Sequence, residues 1–242
     1  MKGSVLKVRY LIKFSKESNI KFISHLDLMR TIQKIIKRAA LPIEYSKGFN
    51  PHMTISIAQP LSVGVYSSGE YMDVVLKEEL DENEIKERLS SNVPSGVKIL
   101  EVVKVKSLSD KKVPQSMAAI EAAKYEVAIK YTNSSILEEE LKKLPRLNEW
   151  NIVKKSKNGE KEVNIKPLIK EFKYKLEDNI LKLQVLLSAG SSENLSADLL
   201  GKFIKENTTG VNEEAFVDIQ RKDMYGLKNN KYIPLIELLS NY

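Results

Sequence analysis

The chain has 242 residues, 42% of them hydrophobic and 29% charged, with 39 Lys and Arg against 32 Asp and Glu for a formal net charge of +7. This is ordinary globular composition for one large or two small domains, and it excludes a disordered tail. There is no cysteine, which excludes disulfides, thiolate zinc sites, a cysteine nucleophile and an iron–sulfur cluster held by this chain's own thiolates.

From residue 5 to residue 14 the residues alternate, with Leu6, Val8, Tyr10, Ile12 and Phe14 on one face and Lys7, Arg9, Leu11 and Lys13 on the other. This is a strand with one basic face. Ser24, with Asp27 three positions on, is a variant capping box that opens a helix. Leu28, Met29, Ile32, Ile35, Ile36 and Ala39 mark its apolar stripe up to Pro42, and Arg30, Lys34, Lys37 and Arg38 share the opposite face. After a turn-rich loop (Ser46, Lys47, Gly48, Phe49, Asn50, Pro51), Met53, Ile55 and Ile57 read as a second strand. Met72, Val74 and Leu76 read as a third, Asp81 caps a short helix to about Leu89, and Val97 to Val105 follows the Pro94-Ser95-Gly96 turn as a fourth. The order β, α, β, β, α, β is the ferredoxin-like unit, with both helices on one sheet face. Lys7, Arg9, Lys13, His52, Thr54, Ser56 and Tyr71 are expected on the other, open face, a surface many RNA-binding domains use.

Residues 107–122 read as a linker. Beyond it, strands are expected around Tyr125 to Tyr131, Asn151 to Lys155, Lys161 to Lys166, Phe172 to Leu176, Leu181 to Leu187 and Phe216 to Arg221. Helices are expected from Ser134 or Ser135 to Leu144 and from Ser196 to Lys205, with an Asn158-Gly159 hairpin turn. The expected fold is therefore α+β, two ferredoxin-like (βαββαβ) domains in tandem with the second elaborated: residues 1–106 and residues 123–242.

Charge is uneven. Residues 1–60 hold eight Lys and three Arg against Glu17, Asp27 and Glu44, a clustering that counterion release rewards against a polyanion such as RNA. The expected RNA-binding residues are Lys7, Arg9, Lys13, Arg30, Lys34, Lys37, Arg38, Lys47, Phe49 and His52, with Phe49 either stacking on a base or plugging the core. The two histidines of the chain, His25 and His52, both fall in this quarter. Were they to meet at one rim of the sheet they could act as acid and base on an RNA 2′-hydroxyl, without a metal. The preferred reading has His25 packing locally at the helix start and His52 donating to backbone carbonyls in its turn, and no His-x-His or His-x-x-x-His spacing supports a metal site at His25, Asp27 and His52. Phosphate-loop, dinucleotide-binding and familiar hydrolase motifs are absent. No apolar run reaches the roughly 18 residues of a membrane span, and no signal-peptide core opens the chain, so the cytoplasm is expected.

The runs Phe22-Ile23-Ser24-His25-Leu26-Asp27-Leu28-Met29-Arg30, Arg38-Ala39-Ala40-Leu41-Pro42, Tyr45-Ser46-Lys47-Gly48-Phe49-Asn50-Pro51-His52, Pro60-Leu61-Ser62-Val63-Gly64 and Ser68-Gly69-Glu70-Tyr71-Met72-Asp73 resemble the radical-SAM-linked protein family. Its members are encoded beside, or fused to, a radical SAM protein with a B12-binding-type domain. The resemblance implies such a protein as partner, with the iron–sulfur cluster and S-adenosylmethionine on the partner and no cofactor on this chain. By resemblance Ser24, His25, Asp27, Gly48, Phe49, Asn50, Pro51, His52 and Glu70 occupy signature positions, none with an assigned catalytic role. Met53 stands where the family more often has proline. The leading expectation is an accessory or substrate-recognition protein for a radical SAM enzyme, binding tRNA or ribosomal RNA, and not an enzyme on its own. The alternatives are a metal-independent RNA-cleaving or RNA-modifying enzyme using His25 and His52, and a protein adaptor that docks on the radical SAM partner without RNA.

Overall fold

A computed structural model describes residues 7–106, 112–156 and 159–242. Leu6 of the first expected strand, the linker residues Ser107 and Ser109, and Asn158 of the expected hairpin turn lie outside the described residues. The fold is α+β, and the chain divides into two compact units, Met1–Glu121 with Asp223–Tyr242, and Ala122–Lys222. The expected second domain, residues 123–242, thus loses its last residues to the first unit.

In the first unit β1 (Val8–Lys16) sends Val8, Tyr10, Ile12 and Phe14 into the core. Ser24 caps α1 (His25–Arg38): its hydroxyl accepts from the Asp27 N–H at 3.2 Å and donates to the Asp27 carboxylate at 2.7 Å. Leu28, Ile32, Ile35 and Ile36 bury the inner stripe of this helix. Then come β2 (Ile55–Ile57), β3 (Tyr66–Leu76), α2 (Glu82–Ser90), whose Asp81 cap accepts from the N–H groups of Asn83 and Glu84, and β4 (Val97–Lys104). All pairings are antiparallel, in the order β4-β1-β3-β2, with Val8 opposite Leu76, Ile12 opposite both Met72 and Val102, and Ile55 opposite Val74. This is the expected ferredoxin-like arrangement. The third strand starts earlier than its alternation suggested, because Ser67 pairs with Lys16 and the chain passes Ser68 and Gly69 as a bulge rather than turning.

Residues 112–122 are not a free linker. They hold α3 (Ser116–Ala119), and Ser116 and Ile120 are buried.

The second unit runs β5 (Ala122–Lys130), α4 (Leu137–Lys143), β6 (Asn151–Ser156), β7 (Gly159–Asn164), β8 (Ile169–Glu177), β9 (Ile180–Ser188), α5 (Ala197–Glu206) and the first residues of β10 (Asp218–Lys228). Its strand order, β10-β5-β9-β8, repeats the pattern of the first unit, and the separate β6–β7 hairpin is the elaboration. Trp150 anchors its core, stacked on Phe203 at 4.9 Å and edge-on to Phe172 at 5.5 Å, with the indole N–H donating to the Leu144 carbonyl.

The chain then completes the first unit with β11 (Lys231–Pro234), paired to the end of β10, and α6 (Leu235–Ser240). Leu235, Ile236, Leu238 and Leu239 of α6 are buried, and the helix packs against β1 and β4. At Gly226 of β10 a Cβ would come within 2.2 Å of Leu238 and 2.7 Å of the Ala119 carbonyl, so only glycine lets these segments close.

Candidate nucleic-acid interface

The sheet face of the first unit that was expected to be open is covered. Leu11 and Tyr71 are fully buried, and α6 and residues 113–116 supply the cover. Arg9 donates to the carbonyls of Val113 (3.3 Å) and Pro114 (2.9 Å) and lies 3.7 Å from the Asp73 carboxylate. Asp73 accepts from the Ser116 N–H and hydroxyl. Lys13 reaches Asp223 at 2.8 Å, and the Tyr71 hydroxyl donates to the same carboxylate at 2.5 Å. Arg9 and Lys13 are therefore structural cations holding the cover in place, and they are withdrawn from the expected RNA surface. Lys7, half-exposed, is paired with Glu44 at 2.6 Å, and that pairing holds the Glu44 carboxyl below its ordinary range.

The outer face of α1 fares differently. Its inner stripe is fixed by burial, so the residues four, seven and eight positions after Arg30 must face solvent together. Lys34, Lys37 and Arg38 are exposed and make no ion pair or side-chain hydrogen bond among the described residues. Arg30, at the start of this row, is tied to Asp27 at 3.1 Å. The Ser24 hydroxyl, and after it Arg30, holds the Asp27 carboxyl below its ordinary range. Positive charge also gathers where it complements the helix C-terminus.

Beyond α1 the chain joins the end of β3, through the Ile43–Leu76 bridge and the Lys77 N–H donating to the Pro42 carbonyl. A hairpin then projects from the same end as the last turn of α1. Tyr45 bridges Met53, the Ser46 N–H donates to the His52 carbonyl at 2.8 Å, and the His52 N–H donates to the Ser46 hydroxyl at 2.9 Å. Met53 sits in this ladder without disturbing it. Gly48 has φ +130°, outside the range of other residues, and no atom within 4 Å of a Cβ built there, so the backbone angle alone explains the glycine. At the tip Phe49 is 112% exposed, among exposed Lys47, Asn50, Pro51 and His52. Phe49 is not a core plug.

The two histidines do not meet. His25 begins α1, whose entry is pinned to the start of β3 by Lys16, the ammonium of which donates to the carbonyls of Lys21, Ile23 and Val65. His52 lies in the hairpin at the far end of β3. The 14 residues of α1 put about 21 Å between those ends. The Nδ1 of His25 is buried without a hydrogen-bond partner. Glu70, another signature position, is 1% exposed inside the sheet. Among the described residues no group of three or more His, Asp or Glu could hold a metal ion.

Sequence reasoning missed two things. One is the set made by the buried Asp73 and Ser116 and the part-buried Asp223, signalled only by lone charges within apolar alternation. The other is an exposed sheet face in the second unit. There Lys124, Lys130, Lys173, Lys175 and Lys182 alternate with inward residues of β5, β8 and β9, and Lys175 lies directly opposite Lys182. Glu177 neutralises both of that pair, and Glu126 and Glu171 dilute the rest.

Residues 9–197 match the model of a family described as "Uncharacterized protein conserved in bacteria (DUF2344)". The chain belongs to this family. The match spans β1 from Arg9 through β4, with α1 and the hairpin, and most of the second unit, so the family's shared segment includes every candidate residue of the interface except Lys7. Comparison with curated proteins found no match. Among solved structures the chain is similar to a chain of a Cbf5-Nop10-Gar1 complex, at 9% identity and a TM-score of 0.48, covering 89% of this chain and 48% of that one. The chain therefore spans about half the length of that relative. It is also similar to an unknown protein from Galdieria sulphuraria (11% identity, 92% and 100% covered, TM-score 0.26) and to a glycine cleavage system transcriptional repressor described as putative (11%, 95% and 99%, 0.23).

Proposed function

We propose that this protein is a substrate-recognition or accessory protein that binds RNA through the outer face of α1 and the 46–52 hairpin, and presents it to a radical SAM enzyme. The observation that carries the RNA reading is the row Lys34, Lys37 and Arg38, which has no protein partner among the described residues and ends beside an exposed hairpin. Unpaired cations in a row release counterions when phosphates replace them, and that entropy drives binding. The radical SAM partner, cytoplasmic and carrying its own cluster and S-adenosylmethionine, rests on the resemblance of the signature runs. Catalysis by His25 and His52 as a pair has no geometric support, so the RNA-cleaving alternative falls behind.

The test is binding of the purified protein to cellular RNA pools across a salt series, with the Lys34→Glu/Lys37→Glu/Arg38→Glu variant alongside. The wild-type affinity should fall steeply with salt, with a log–log slope of about −2 or steeper for three or more phosphate contacts to a single strand. The variant should lose most of that affinity while keeping its circular dichroism spectrum. Equal affinity of variant and wild type at moderate salt would sink the reading.

A second reading has its own observation. Phe22, Leu26 and Val63 are 66%, 65% and 59% exposed at the opposite end of α1, and Gly64 next to Val63 approaches the Phe22 ring. Clustered exposed apolar side chains of this kind mark protein docking. This patch would suit an adaptor contact with the radical SAM partner. A Phe22→Ser/Leu26→Ser variant that still captures the partner would dismiss it.

A further inference from the structure

We infer that Phe49 is a stacking finger, and that the RNA recognised carries an unpaired base at the contact. This rests on the proposed RNA reading and narrows its substrate class to single-stranded or looped RNA.

Phe49 is the most exposed large apolar side chain among the described residues, and it stands at the tip of a closed hairpin. The hairpin beneath it is closed by the reciprocal Ser46–His52 hydrogen bonds and the Tyr45–Met53 bridge. Pro51 fixes its own backbone φ on the far side of the tip. A benzyl side chain held in water forgoes the free energy of burial, which is recovered only when something covers the ring.

The surroundings select what covers it. An aromatic anchor for a protein pocket sits among other apolar groups that exclude water from its rim. Around Phe49 the neighbours are Lys47, Asn50, Pro51 and His52, all exposed. An isolated ring with a cation and hydrogen-bonding groups beside it matches a nucleotide, whose base offers a flat face and whose phosphate and edges take the polar contacts. Bases inside a duplex are already stacked on both faces, so the ring gains nothing there.

The experiment measures the full chain, and its Phe49→Ala, Phe49→Tyr and Lys34→Glu/Lys37→Glu/Arg38→Glu variants, against a mixed-sequence single-stranded RNA and a duplex of the same length. Phe49→Ala should weaken single-strand binding by about 5- to 150-fold, leave duplex binding unchanged, and leave the salt slope unchanged because no phosphate contact is lost. Phe49→Tyr should bind the single strand as wild type does. The helix variant should instead lose affinity for both RNAs and flatten the slope. Single-strand binding unaltered by Phe49→Ala, or weakened equally on both RNAs, overturns the stacking role while leaving α1 as the RNA surface. Absence of RNA binding by the wild-type chain at low salt overturns both. Loss in Phe49→Ala of a protein partner rather than of RNA reassigns the ring to protein docking and likewise overturns the inference.

Discussion

Asp73 accepts two hydrogen bonds from Ser116, one from its N–H at 2.9 Å and one from its hydroxyl at 2.6 Å, with both residues buried. This contact fastens the start of α3 to the centre of β3, across 43 residues of chain. Arg9 supports it from β1 by holding the carbonyls of Val113 and Pro114. The basic face of β1 is thereby converted from a surface into an interface within the unit, which moves the candidate RNA site outward to α1 and the hairpin.

Ser116→Ala should therefore destabilise the first unit by about 1.5–3 kcal/mol, the range for a hydrogen bond to a charged group. Asp73→Ala should cost more, since it strips the buried N–H and hydroxyl of Ser116 of their shared acceptor and removes the carboxylate that lies 3.7 Å from Arg9. Denaturant melts would measure both. Wild-type midpoints in both variants would mean that the segment is not fastened by this contact.

Ala40 follows α1 with φ +49°, the left-handed conformation that costs a residue with a Cβ about 1–2 kcal/mol. Arg88 holds this turn by donating to the carbonyls of Ala39, at 2.9 Å, and Ala40. Ala40→Gly should raise stability by about 0.5–1 kcal/mol after the added freedom of the unfolded chain is subtracted. A thermal melt checks the sign, and a lower Tm would contradict the strain.

Much of the architecture could be read from residue order. Ser24 with Asp27, Asp81 and Ser196 each mark a helix start that the structure keeps, because capping is a local event between neighbouring groups. The alternation of Val8, Tyr10, Ile12 and Phe14 likewise fixed which face of β1 meets the helices. What was hidden is long-range. Nothing near Arg9 or Lys13 announces that Val113, Pro114 and Asp223 will arrive to bind them, and a strand face reads as open until a distant segment is known to cover it. The run Ile233 to Leu239 carried a hint of that cover, as an apolar stretch near the end of the chain with no other core to join. In the interface, the α1 row was legible from helical spacing, whereas the separation of His25 from His52 depends on strand direction and register, which spacing does not encode.

Glu177 is flanked by Lys175 at 2.7 Å and by Lys182, and hydrogen bonds from the two, Lys175 first, hold its carboxyl at about 2 against an ordinary 4.5. Since the folded value is the lower one, the stability this pairing contributes is present above 4.5 and is lost as pH falls toward 2. An NMR titration of the Glu177 carboxyl should give a midpoint near 2, moved up toward 4.5 by Lys182→Gln and by high salt. A midpoint of 4.5 in the wild type would mean that the two lysines do not hold this carboxylate in solution.

Tyr71 provides the opposite sign at alkaline pH. Its hydroxyl, buried and donating to Asp223, has its pKa raised well above the ordinary 10, first by burial and then by the Asp223 charge. The unfolded chain ionises its tyrosines near pH 10, so above that pH the unfolded state sheds a proton that the folded Tyr71 keeps, and stability falls as pH rises. Tyr71→Phe should lower stability at pH 7 by about 1–3 kcal/mol, because Asp223 keeps the Lys13 ammonium and the Met224 N–H but loses its phenolic donor. The same variant should flatten the loss of stability between pH 9 and about pH 11. Urea melts of both proteins at three pH values measure the two effects together, and an identical alkaline loss in Tyr71→Phe would place the titrating group elsewhere in the chain.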